Sequence, residues 1–168
     1  MFSQFIKFFR ILSSETSPMQ ISTALALAMI MGFTPLMSLH NLLVLFVLLI
    51  FRINLASFLL AWAVFSGIAY LLDPMFHSVG HSLLTNKDML SQWTEMYNST
   101  FWRISHFNNT IVMGSLAISV AAFIPVVIIS NLLVRYYRSH LYVHFQNSKI
   151  VRFVQNSKLF TKIVSMAE

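Results

Sequence analysis

The polar residues best placed for chemistry in this 168-residue chain interrupt a long apolar region. Two apolar runs, 19–31 and 42–51, flank a short segment that carries hydroxyl, imidazole and amide groups. The candidate residues for a substrate pathway there are Thr34, Ser38, His40 and Asn41, joined by Asn131 from the last apolar run. Such groups can bind a polar ligand, or they can satisfy the backbone of a broken helix. The sequence favours neither alternative.

A second set of chemically active side chains, Asp73, His77 and His81, recurs every four residues. On one helix these residues share a face, and two imidazoles four residues apart could bind zinc. The pair Asp73-Pro74 is, however, typical of a helix start, with Asp73 capping the first turn. No HExxH-type acid accompanies the histidines. We therefore expect a water-facing surface, and the three residues are only weak candidates for a metal site.

The chain offers little else for catalysis. It has no cysteine, which excludes thiolate chemistry, and no nucleophile–base pair or carboxylate dyad is visible. We predict neither an enzyme nor a bound cofactor.

Composition indicates a polytopic membrane protein. Hydrophobic residues make up 57% of the chain and charged residues only 10%, unlike an ordinary soluble domain. The net charge of +6 could suggest nucleic acid. The cations lie beside apolar runs, so we expect membrane lipids as partners and no nucleic acid.

The two runs of 19–51 predict a re-entrant helical hairpin. As helices they reach roughly 20 Å and 15 Å, less than the roughly 30 Å of a bilayer core. Gly32 and Pro35 should break the helix, which places the hairpin tip at residues 32–41. Arg52 and Asn54 form a hinge after the hairpin, with Asn54 capping the next helix.

We predict an all-α integral membrane protein in three parts. Residues 1–17 form an interfacial amphipathic helix and an elbow, where Ser17 caps a helix that begins at Pro18. The membrane domain, 18–138, adds to the hairpin a span at 55–72, an external interfacial loop at 73–107 and a span at 110–134. Residues 139–168 form a basic cytoplasmic tail of amphipathic helices. Small residues in the last span, Gly114, Ser115 and Ser119 among them, predict close helix contact.

The distribution of charge predicts the orientation. If the hairpin enters and leaves on one face, every positively charged segment lies in the cytoplasm and the acidic loop lies outside. Both termini are then cytoplasmic.

The positions of several residues between the apolar runs resemble those of the bacterial membrane family DUF2062. These residues are Pro18, Gly32-Phe33-Thr34-Pro35, Arg52-Ile53-Asn54 and Asp73-Pro74. The string HFNNTIVMG at 106–114 resembles a narrower proteobacterial subgroup. The likeness covers about 18–138, although Met37-Ser38 stands where the wider family often has a second glycine. The resemblance implies an inner-membrane location, no established biochemical role, and a larger membrane-anchored envelope protein as a partner.

Two functions follow as hypotheses. The first is a membrane-embedded subunit of an envelope transport or lipid-handling system, whose hairpin tip lines a pathway for an amphipathic substrate with anionic headgroups. The alternative is a non-transporting scaffold or anchor for the larger envelope protein. Two spans and one hairpin are too few helices to enclose a pathway alone, so a homo-oligomer or a hetero-complex is expected in either case.

Overall fold

A computed structural model describes residues 17–51 and 53–142 of the chain, and every regular element in them is helical. The helices are α1 (Pro18–Phe33), α2 (Leu39–Ile50), α3 (Leu55–Leu84), α4 (Leu90–Asn98), α5 (Thr100–Ile104) and α6 (Thr110–Tyr136). A 3₁₀ turn, Lys87–Met89, precedes α4, and a π-helical segment, Tyr137–Tyr142, follows α6. The prediction of an all-α protein is confirmed. The interfacial helix at 1–16, Arg52 and the tail from 143 onward lie outside the described residues.

Two helices are long and apolar enough to cross a membrane: α3, and α6 with the turn that continues it to His140. The second agrees with the span predicted at 110–134. By length and composition these two helices agree with a membrane protein.

Helices α1, α3 and α6 pack against one another as a three-helix bundle. Helix α1 is the most deeply buried, and small side chains make this possible because they let neighbouring backbones approach closely. Its buried residues are Ile21, Ser22, Ala24, Ala26, Leu27, Ala28, Met29, Met31 and Gly32. By contrast, only Asn41 and Val44 of α2 are buried.

Contacts along the bundle define the helix directions. The middle of α1 shares a core cluster with Phe58 and Ala61, and its last turn, at Gly32, lies against Phe65 and Ser66. Helices α1 and α3 therefore run in the same direction. The chain must then turn back between them, and α2 occupies this stretch, with Val44 packed in the same cluster.

Side chains fix where the helices begin. The Ser17 hydroxyl accepts a hydrogen bond from the backbone N–H of Gln20, and the Gln20 side chain bonds back to the Ser17 N–H. The Asn54 side chain accepts a hydrogen bond of 2.7 Å from the Ser57 N–H. These caps satisfy backbone donors that a helix start leaves unpaired. The predicted caps at Ser17 and Asn54 are confirmed.

The prediction that a helix ends at Asp73 is wrong. Helix α3 continues through Pro74 to Leu84, so Asp73 is an interior residue and caps nothing. A proline inside a helix costs about 3 kcal/mol because it removes one hydrogen bond and its ring meets the preceding turn. Packing offsets this cost, since Phe76 is fully buried and Gly80 lies against α6.

The crossing of α3 and α6 depends on two glycines. A Cβ atom on Gly80 would overlap the carbonyl oxygen of Thr110, and one on Gly114 would overlap that of Phe76. Next to them Ser115 and Ser119 are fully buried in α6. The close contact predicted for this part of α6 is confirmed.

Candidate functional site

The break between α1 and α2 holds a buried hydrogen-bonded pair, Thr34 and Asn41. Their side chains are only 5% and 2% exposed. The Thr34 hydroxyl lies 3.0 Å from Asn41 Oδ1 and 2.8 Å from the carbonyl oxygen of Ile30, and its one proton serves either acceptor. The Asn41 amide donates to the carbonyl oxygens of Pro35 at 2.9 Å and Leu36 at 3.3 Å. The pair therefore satisfies backbone groups that the broken helix leaves unpaired.

Ser38 and His40 complete the predicted tip. Ser38 is buried, and its carbonyl oxygen accepts the Asn41 N–H at 3.0 Å. His40 is half-buried, and its Nε2 is enclosed without a hydrogen-bond partner among the described residues. Buried polar atoms are normally paired, so this nitrogen is an unsatisfied side-chain atom of the tip in the described part of the chain.

A cavity of about 350 Å³ lies on one side of the tip, and we name it the apolar cavity. Its walls come from the start of α2, from α5 and the residues around it, and from the first turns of α6. They are Leu39, His40, Leu43, Met96, Phe101, Trp102, Ser105, Phe107, Val112, Met113 and Leu116.

A second cavity of about 440 Å³ lies where α1 ends, and we name it the acidic cavity. One wall is the end of α1 with the break, residues 31–36, and the other is the face of α3 that carries Trp62, Ser66, Ala69, Tyr70 and Asp73. Ile111 of α6 completes it. The break therefore borders these two cavities of different character, and a third, of about 360 Å³, is lined by the break itself and the first turns of α2.

The structure does not bring Asn131 to the tip, so this part of the predicted site is wrong. Its amide nitrogen lies 3.5 Å from the sulfur of Met19, at the start of α1. Ile111, at the other end of α6, faces the end of α1. Because α6 runs antiparallel to α1, the last turns of α6 lie far from the break.

Asp73, His77 and His81 share a helix but do not converge as a set of three ligands. The His77 Nδ1 is 2.7 Å from the Thr110 hydroxyl, and the His77 and His81 rings stack with centroids 6.1 Å apart. In residues 17–51 and 53–142 no three histidine, aspartate or glutamate side chains come together to hold a metal ion. Asp73 belongs to the acidic cavity instead.

Sequence reasoning missed the acidic cavity. An acid inside an apolar helix is itself a signal of function, but the pair Asp73-Pro74 is equally typical of a helix start. The sequence predicts that both Gly32 and Pro35 lie in the break. In the structure Gly32 lies in the last turn of α1, in contact with Phe65, and of the two only Pro35 lies in the break.

The fold and the cavities define the class: a small helical bundle with two helices able to cross a membrane and an interrupted helix pair packed against them. The chain belongs to the family described as "Uncharacterized protein conserved in bacteria (DUF2062)", whose model matches residues 6–141. It is similar to an "Uncharacterized protein" of Treponema pallidum (strain Nichols), with 26% identity over 151 residues that cover 90% of this chain and 93% of the relative. No solved structure matches it.

Proposed function

We propose that this protein is a membrane-embedded subunit of a bacterial envelope system that handles or transports lipids. In this proposal α1 and α2 form a re-entrant hairpin in the inner membrane, both termini are cytoplasmic, and the hairpin tip lines the pathway of an amphipathic substrate.

Exposed apolar surface supports the membrane location. Large apolar side chains of α2 are mostly exposed, and the outer faces of α3 and α6 carry many more. Those of α2 include Leu42, Leu43, Phe46, Leu49 and Ile50. Soluble monomers rarely expose apolar patches of this extent, whereas a bilayer covers them.

The helix directions support a hairpin that returns to its starting face. Because α1 and α3 are parallel, both begin at the same end of the bundle. Gly32 lies beside Phe65 and Ser66, ten to eleven residues along α3 from Leu55. If the hydrocarbon layer begins at Leu55, as this proposal has it, the end of α1 lies about 16 Å into a layer of roughly 30 Å.

The apolar cavity is the observation that carries the proposal. Its volume is that of a small-molecule pocket, and its walls are mainly aliphatic and aromatic, as an acyl chain requires. His40 adds an imidazole whose Nε2 has no hydrogen-bond partner among the described residues. An amphipathic molecule can place its acyl chain in this cavity, with the His40 ring in the wall beside it.

Filling the cavity tests this function. We expect Leu116→Trp, on the cavity wall, to reduce the phospholipid that co-purifies with the protein in mild detergent, measured by mass spectrometry. The matched control is Ile124→Trp, because Ile124 lies on the same helix and is 67% exposed. Equal lipid retention by both variants would contradict the proposal. His40→Ala is a second test variant, which changes the cavity wall without adding a larger side chain.

A scaffold or anchor for a larger membrane-anchored envelope protein is the second candidate. Two observations favour it: Thr34 and Asn41 use their polar groups within the tip, and α2 exposes an apolar surface that a partner helix could cover. A scaffold predicts that Leu116→Trp and His40→Ala leave function intact. It also predicts that replacing exposed α2 residues releases the partner, or separates a homo-oligomer, in pull-downs from native membranes.

A further inference from the structure

We infer that the acidic cavity binds an ammonium group, and that this group belongs to the headgroup of the amphipathic substrate. This inference, which rests on the function proposed above, names the class of that substrate: a lipid with an amine-bearing headgroup.

The first observation is the carboxylate of Asp73. It is half-buried in the wall of the acidic cavity, inside a long apolar helix. Within the described part of the chain this carboxylate has no ion-pair or hydrogen-bond partner, and the cavity wall contains no basic side chain. An unpaired acid in such a helix is costly, and a bound cation compensates for it.

The second observation is the end of α1 at the same cavity. The last carbonyl groups of a helix have no intrahelical donor, and they carry the negative end of its dipole. Here Pro35 has no N–H to donate to the carbonyl oxygen of Met31. The Asn41 amide reaches only the carbonyl oxygens of Pro35 and Leu36. Carbonyl oxygens of Met31, Gly32 and Phe33 therefore add negative potential to that of Asp73.

The third observation is an aromatic residue beside the acid. Tyr70 lies three residues before Asp73 on α3 and lines the cavity with it, whereas Trp62 lies about 16 Å away along the same helix, at the other end of the cavity. Aromatic faces attract organic cations, and combining them with one carboxylate is a common way to recognise an ammonium group. Among the described residues, no group of three histidine, aspartate or glutamate side chains surrounds this space to favour a metal ion instead.

This chemistry differs from the anionic headgroup expected from sequence. The acidic cavity disfavours a purely anionic lipid, since Asp73 and the end of α1 would repel it. A zwitterionic lipid instead supplies the ammonium group that the acidic cavity binds.

Competition between two lipids provides the test. The full-length protein in detergent is mixed with equal amounts of phosphatidylethanolamine and phosphatidylglycerol, and the bound ratio is read by native mass spectrometry. We expect the wild type to prefer phosphatidylethanolamine and Asp73→Asn to lose this preference by about fivefold or more. Asp88→Asn is the matched control because Asp88 is an exposed acid outside the cavity.

A second variant keeps the inference testable if Asp73→Asn does not fold. Tyr70 is 80% exposed, so Tyr70→Leu removes the aromatic ring with little loss of packing. We expect it to lower the preference by about two- to fivefold. A preference unchanged in both Asp73→Asn and Tyr70→Leu overturns the inference.

The two proposals fail in different ways. If the wild type retains lipid without distinguishing the headgroups, the ammonium site is wrong and the lipid-handling function stands. If the wild type retains no lipid of either kind, both are wrong.

Discussion

Replacing Gly80 by alanine should separate α3 from α6. The added Cβ would overlap the carbonyl oxygen of Thr110, and the backbone nitrogen of Gly114 lies only 2.9 Å from the same point. Ordinary carbon–oxygen contacts are about 3.3 Å, so the two backbones must move apart by about 1 Å or more. Overpacking of this kind costs about 1 to 3 kcal/mol, and the upper end applies because the obstacle is backbone.

Gly67→Ala is a matched control in the same helix. A Cβ on Gly67 meets nothing within 4 Å. Alanine there should leave stability unchanged or raise it by up to about 1 kcal/mol, since alanine is the better helix former. Thermal unfolding of both variants in detergent, followed by circular dichroism, measures the difference. If Gly80→Ala unfolds at the same temperature as Gly67→Ala, the close crossing of α3 and α6 is refuted.

Three further predictions concern single side chains. Asn41→Leu leaves the carbonyl oxygens of Pro35 and Leu36 without their donor, and it should cost about 1 to 3 kcal/mol in thermal unfolding. A melting temperature equal to that of the wild type would show that the tip does not need the Asn41 amide. Asn109→Ala removes the side chain that accepts from the N–H groups of Ile111 and Val112, and it should cost about 1 kcal/mol; no change in melting temperature would argue against the cap. Asn131→Leu should leave lipid retention unchanged, since Asn131 lies beside Met19. A loss of bound lipid as large as that of His40→Ala would show that Asn131 belongs to the substrate pathway.

Local chemistry made part of the fold predictable. Pro35 cannot donate a backbone hydrogen bond, so the end of α1 follows from the sequence alone. Ser17 and Asn54 were predicted as caps because their acceptors reach only a few residues along the chain. Each of these features depends on residues that are close neighbours in sequence.

Features that depend on distant residues were not predictable in this way. The local signal at Asp73-Pro74 predicts a helix start, but the packing of Phe76 and Gly80 on the bundle overrides it. The same holds for the acidic cavity, where α1, α3 and α6 meet. The hydrophobic periodicity of one helix does not show which residues of another helix pack beside it.

The central claim, that α1 and α2 enter and leave the membrane on one face, has a direct measurement. The chain contains no cysteine, so single cysteines at Met19, Phe51 and Ser91 can each be labelled with a membrane-impermeant maleimide in oriented vesicles. All three positions are exposed. We expect Met19→Cys and Phe51→Cys to react from the same face and Ser91→Cys from the opposite face. Reaction of the first two from opposite faces would show that the α1–α2 segment crosses the bilayer, contradicting the account.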